Sequence, residues 1–131
     1  MKVVKAVAPT AGAVAAMTAT EVAASGYERA LFILQTGAAA TGATIDFKIQ
    51  AATASGGSFA DITNAALTQI TAAAGAGKVF AIDVAIPAGK NFLKVVGAVG
   101  TDTFANGAVC VLYRGVSYPV DTAYFTELVT V

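Results

Sequence analysis

The chain of 131 residues has no histidine, no tryptophan and a single cysteine, and each absence removes a class of chemistry. Ser-His-Asp and Cys-His catalysis and the commonest zinc sites all need an imidazole that carries a proton or a metal near neutral pH. Cys110 has no second cysteine to pair with and lies in the apolar run Ala108, Val109, Cys110, Val111, Leu112, Tyr113. A reactive thiol needs exposure and a nearby positive charge, so here a small buried hydrophobe is expected. Aromatic residues make up 8% of the chain, which supplies a sugar-stacking platform poorly. Charged residues make up 12%, against a usual share of about 25%. Eight basic and eight acidic residues cancel, so no field of one sign is left to hold a nucleic acid backbone or an anionic membrane, and neither is expected as a partner. The longest uncharged runs, residues 30–45 and 62–77, are shorter than the about 18 to 20 apolar residues of a membrane-spanning helix, and glycine and threonine interrupt them.

What is present points to strands. Hydrophobic residues are 56% of the chain, enough to exclude disorder, and the length suits one domain. Ile45, Phe47 and Ile49 alternate with Thr44, Asp46, Lys48 and Gln50, the pattern of a strand with one face buried. Phe80, Ile82, Val84 and Ile86 repeat it, with Asp83 on the opposite face, and Pro87, Ala88 and Gly89 end it. Residues 30–34, 92–96 and 109–113 are apolar on both faces for most of their length, which suits central strands covered on both sides. Turn-forming stretches separate these runs at Thr36-Gly37, Ser55 to Ser58, Gly75-Ala76-Gly77, Ala88 to Asn91 and Asn106-Gly107, the last being the sharpest type I′ hairpin signal. Short strands at such spacing predict an all-β fold, a two-sheet antiparallel β-sandwich of jelly-roll type. Residues 11–24 are the one stretch with helical potential.

Candidate chemistry is sparse. Gly75, Ala76, Gly77 and Lys78 invite comparison with a phosphate-binding loop, but the first glycine of that pattern falls on Ala72 and its Mg²⁺-holding hydroxyl on Val79, so a turn is expected. The GXXG spacing of Gly97 to Gly100 lacks flanking basic residues. Paired carboxylates are the one catalytic device left, since glycoside hydrolysis needs two acids at a fixed separation. Asp46 and Asp83 are the candidates, and ordinary solubilising roles are expected for both, because adjacent strands would leave them an unrelieved like-charge pair. The chain is therefore expected to be no enzyme and to use no cofactor or metal.

The ends carry the interaction signals. Met1 to Lys5 followed by alanine-rich sequence superficially resembles a signal peptide, but Pro9, Thr10 and Gly12 interrupt it, and a flexible or strand-exchanging arm is expected. The organisation expected is an arm or first strand over 1–26, a sandwich core over 27–115, and a tail or closing strand over 116–131. With so few charges, the surface must be rich in alanine, threonine and valine, and such a surface associates readily. Candidate interface residues are Val14 and Met17 in the arm and Tyr118, Tyr124, Phe125 and Leu128 in the tail, where tyrosine and phenylalanine bury large area at little entropic cost.

Three segments carry a resemblance. Leu31-Phe32-Ile33-Leu34, then Ile45-Asp46-Phe47-Lys48-Ile49-Gln50 leading through Ser55-Gly56-Gly57-Ser58 to Phe59-Ala60-Asp61-Ile62, and later Lys90-Asn91-Phe92-Leu93-Lys94-Val95-Val96, resemble small structural proteins of tailed bacteriophages. The resemblance covers roughly residues 27–115, and the group is that of head decoration or capsid cement proteins. It implies a virion protein, made in the host cytoplasm, that binds the outside of the assembled head and stabilises it by non-covalent contacts. The implied partners are the major capsid protein and further copies of the chain, with a trimer as the expected assembly. Two other readings stay open: another particle component, such as a head fibre base or tail subunit, and a carbohydrate-binding β-sandwich, which Ser58 to Ile62 also resembles.

Overall fold

The computed structural model describes residues 1–115 and 122–131. Its strands are β1 (Lys2–Thr10), β2 (Ala15–Ala16), β3 (Val22–Ala23), β4 (Arg29–Ala39), β5 (Thr44–Ala52), β6 (Ala60–Ala66), β7 (Ile70–Thr71), β8 (Val79–Ala85), β9 (Phe92–Gly100), β10 (Phe104–Tyr113) and β11 (Glu127–Thr130). One four-residue helix, α1 (Ala72–Gly75), and a 3₁₀ turn (Thr122–Tyr124) complete the described elements. Five strands form sheet A in the order β1-β10-β4-β8-β11; sheet B runs β2-β9-β5-β6, with β3 also on β9 and β7 also on β5. The ladders between named strands are antiparallel except β8 with β11, which is parallel. The fold is thus an all-β sandwich.

The core is where the alternation of the two sheets meets. Across sheet A, the register lines up Val4, Cys110, Phe32, Ile82 and Val129 in one inward row. Across sheet B, Ile45, Phe47 and Ile49 lie opposite Val99, Gly97 and Val95. Phe32, Ile45, Ile49, Ile82 and Val84 are fully buried, and Phe47 and Phe80 nearly so. Each such side chain stabilises the fold by roughly 1.5–3 kcal/mol. Gly97 leaves a gap over Phe47 that only a side chain from elsewhere can fill: a Cβ there would lie 2.7 Å from both the Asp46 carbonyl oxygen and Met17 Sδ. Met17 therefore packs into the core's margin.

Two expected turns fail locally. Asn106-Gly107 is no hairpin turn, because both residues sit inside β10, paired with Thr36 and Gln35 of β4. The reversal between β9 and β10 falls at Thr101–Thr103 instead, with Thr101 in the left-handed region (φ 69). Thr36-Gly37 likewise lies within β4, where the Thr36 hydroxyl accepts from Lys78 N at 2.9 Å and donates to the Gly75 carbonyl, tying the α1–β8 connection to the sheet. In both cases the β4–β10 ladder overrode the local turn propensity. Residues 11–24, the one stretch with helical potential, supply β2, β3 and a bridge from Ala19 to Val7 that closes one side of the sandwich.

The runs read as covered on both sides are covered on one. Leu31 and Ile33 of β4 point away from the core and are half-buried, and Val109 of β10 is 41% exposed.

Candidate interaction surface

The outer faces of the two sheets differ in kind. On sheet B the outward residues of β5 are polar and engage polar side chains around them, beside Val96 and Ala98 on β9. Lys48 Nζ lies 2.8 Å from Asp61 Oδ2, Gln50 Nε2 donates to Asp61 Oδ1 at 2.7 Å, and Gln69 Nε2 donates to Asp46 at 3.1 Å. Lys94 stands 4.4 Å from the centre of the Phe59 ring, a cation–π contact. Hydrogen bonds from Lys48 and Gln50 hold the Asp61 carboxyl below its ordinary value, and those from Ser55 and Gly56 do the same for Glu21.

On sheet A the outward rows are mostly apolar. One row runs Val3, Val111, Leu31, Asp83, Thr130; the next runs Lys5, Val109, Ile33, Ala81, Leu128. Val3 is 64% exposed. Valine, leucine and isoleucine at consecutive outward positions of three adjacent strands form a contiguous apolar strip, which a scattering of single exposed hydrophobics does not.

The strip ends in a hollow. Between Lys5 and Thr10 the β1–β10 register shifts twice, so β1 is bulged there, with Pro9 close over Gly107. Gly107 presents no side chain at the same level. The result is an open depression of about 310 Å³ walled by Val7, Pro9, Ile33, Gln35 and Val109, with Asn106 among its lining residues. Asn106 is an inward position of β10 and nearly fully buried; its Nδ2 donates to the Phe104 carbonyl at 2.9 Å, and its Oδ1 has no partner. An unpaired buried acceptor costs about 1–3 kcal/mol.

At the opposite end of sheet A lies a polar cluster that sequence reading missed. Asp83, expected as a solubilising residue, is buried: Tyr113 donates to its Oδ1 and Oδ2 at 2.8 and 2.7 Å, and Arg29 Nε to Oδ1 at 3.2 Å. Arg29 Nη2 also donates to the Val131 carbonyl at 3.3 Å, which fastens β11 to the sheet. Burial disfavours the Arg29 cation, but hydrogen bonds to Tyr113 and Asp83 outweigh that and raise its pKa; burial, then the bond to Asp83, pushes the Tyr113 phenol up. Asp83 is covered because Arg29 and Tyr113 come from β4 and β10, far from it in sequence. Only the outward position of all three hinted at the cluster.

The expected interface residues do not assemble into one patch. Val14, 57% exposed, lies in the connection to β2 on the β1 side of the sandwich. Met17 is half-buried against the core, so it is a packing residue. Tyr124 is 79% exposed, Phe125 is half-buried, and Leu128 is half-buried on β11, all at the other edge of sheet A. Tyr118 lies outside the described residues. Asp46 and Asp83 sit in different sheets and each is engaged elsewhere, so they form no catalytic pair. Burial pushes the Cys110 thiol up to about 12. Among the described residues no cluster of three or more His, Cys, Asp or Glu is placed to hold a metal ion. Compared with known proteins, the chain matches no family model and no curated protein.

Proposed function

We propose that the protein is a structural subunit of a bacteriophage particle, a decoration or cement protein that binds the outside of the assembled head and reinforces it by contact alone. Its partners in this reading are the major capsid protein and further copies of itself, and it performs no catalysis. The observation that carries the reading is the outer face of sheet A, where Val3, Val109, Val111, Leu31 and Ile33 stand on adjacent strands with Lys5 as the one charge in their two rows outside the Asp83 cluster. A neutral chain with such a strip loses little to repulsion when many copies crowd onto one shell. The order β1-β10-β4-β8 facing β2-β9-β5-β6 supports reading the sandwich as a jelly roll with β11 added at one edge. The likeness of residues 27–115 to the decoration group supports the same role.

Particles lacking the chain provide the test. Added protein is expected to bind them and to raise their survival of heating or osmotic shock, and Val109→Asp is expected to abolish both while melting normally. If the wild-type chain neither binds nor protects, the reading falls. Deleting residues 118–131 is a poorer probe, because it also removes β11 and withdraws Val129 and Val131 from their packing against the core.

A further inference from the structure

Asn106-Gly107 has a chemistry besides its turn propensity. The amide carbon of an asparagine is an electrophile, and the backbone nitrogen of the next residue closes on it to a five-membered ring when the chain is free to turn. A glycine in that next place leaves the nitrogen unhindered and the backbone mobile, so such pairs are the most labile of the thermolabile asparagines. The chain has three asparagines, followed by Ala65, Phe92 and Gly107. Asn64 and Asn91 are exposed, and the residue after each carries a side chain. The one unhindered pair is also the one placed deepest, with Asn106 5% exposed.

The fold holds the reaction off in three ways. Asn106 lies opposite Thr10 of β1 and Thr36 of β4, and Gly107 opposite Gln35, so both sit inside the ladder of sheet A. Ring closure needs the ψ angle of Asn106 to leave the extended range that a strand fixes. The side-chain amide is held as well: Nδ2 donates to the Phe104 carbonyl at 2.9 Å, which turns it back along its own strand. Finally, Pro9 lies over the glycine, where a Cβ would stand 3.1 Å from Pro9 Cα, so the peptide has little room to rotate.

We infer that Asn106 is a deamidation site that folding keeps shut and unfolding opens. Once β1 and β4 leave β10, Gly107 N loses its proton to solvent base and attacks Asn106 Cγ; the N–Cγ bond forms, the Cγ–Nδ2 bond breaks and ammonia leaves. Water then adds to either ring carbonyl and opens the ring to aspartate or isoaspartate. Neither product fits the native place. In aspartate an acceptor oxygen replaces the Nδ2 donor and faces the Phe104 carbonyl in a site closed to water. In isoaspartate the main chain runs through the side-chain carbon, which lengthens β10 and puts residues 107–113 out of step with β4. Unfolding therefore becomes one-way with time, whatever the chain binds.

The test holds the full chain in one mildly alkaline buffer, folded in one portion and unfolded by guanidinium chloride in another. Peptide mass mapping and an isoaspartate-specific methylation assay follow Asn106 in both. The unfolded portion is expected to lose Asn106 at least about 100-fold faster than the folded one, since reaction in the fold waits on opening. When the denaturant is diluted away, refolded chains are expected to carry intact Asn106 and the remainder aspartate or isoaspartate. Asn106→Ser, whose hydroxyl retains a donor, is expected to refold equally after short and long incubation; the sorting of wild-type chains decides the matter even where that variant does not fold. Equal loss of Asn106 in the two portions overturns the inference, as do modified chains that refold in the same proportion as intact ones. A folding Asn106→Ser chain that loses its capacity to refold at the wild-type rate overturns it too.

Discussion

On sheet B, Asp46, Lys48 and Gln50 alternate with Ile45, Phe47 and Ile49, whereas on sheet A the residues alternating with Phe32 and Leu34 are Leu31 and Ile33. Both sheets obey the period of two on the inside. Outside, sheet B satisfies its polar groups within its own surface, through Lys48 to Asp61, Gln50 to Asp61 and Gln69 to Asp46. Sheet A leaves valine, leucine and isoleucine facing outward, with Lys5 on its β1 edge and a buried Arg29–Asp83–Tyr113 cluster at one end. A face whose hydrogen bonds close on themselves is suited to water, and one that presents aliphatic side chains across three strands is suited to another protein. In the proposed reading this asymmetry gives the molecule one attached side and one free side.

The comparison presumes that the inner faces are equivalent. Phe32→Ala and Phe47→Ala are therefore expected to cost about 3–5 kcal/mol each in denaturant melts; a much smaller loss on one sheet would break the symmetry. The inner face of sheet A also holds the thiol. With Cys110 raised from 9.0 to about 12, the unfolded chain ionises first as the pH climbs, so stability present below pH 9 is lost progressively toward pH 12, by up to about 4 kcal/mol. Cys110→Ala is expected to flatten that part of the alkaline profile, and the difference between the two profiles measures how well the core is sealed. For the outer faces, Val109→Asp is expected to weaken particle binding by about 30-fold or more, while Asp46→Ala changes it less than about twofold; equal effects would erase the distinction. The smallest effect belongs to sheet B. Lys48→Ala is expected to cost well under about 1 kcal/mol, as exposed ion pairs do. Hydrogen bonds from Lys48 and Gln50 hold Asp61 below the ordinary carboxylate value, so whatever its pairing contributes is present above that ordinary value and disappears as the pH falls through the lowered one. A melt series through the acid range on wild type and Lys48→Ala should show the two curves converge.

How much of this was legible in sequence depended on whether the signal was local. The strict alternation of Ile45, Phe47 and Ile49 gave their faces, because strand period and burial reinforce each other there. Asn106-Gly107 misled, since the pair has turn propensity but lies between two partner strands whose pairing the sequence does not display. Asp83 misled for a related reason: its alternation put it on the outer face, and its burial depends on Arg29 and Tyr113, 54 and 30 residues away. The apolar outer side of β4 was visible as a run without alternation, but the run alone cannot say whether chain or partner covers it. The hollow had no sequence signature, because it arises from a bulge in β1 opposite a glycine in β10.

The placement of β1 and β11 at the two edges of one sheet settles where attachments to this molecule would emerge. Lys2 pairs with Leu112, and Val131 N bonds the Asp83 carbonyl at 2.9 Å, so both terminal residues lie at the Arg29–Tyr113 end. Tyr124 and the hollow lie at the other. A peptide or reporter joined to either terminus would therefore project from one rim and leave the opposite rim unobstructed. A force applied between the two ends would peel β1 and β11 from their neighbours one hydrogen bond at a time, in the manner of a zip, instead of loading the whole ladder together.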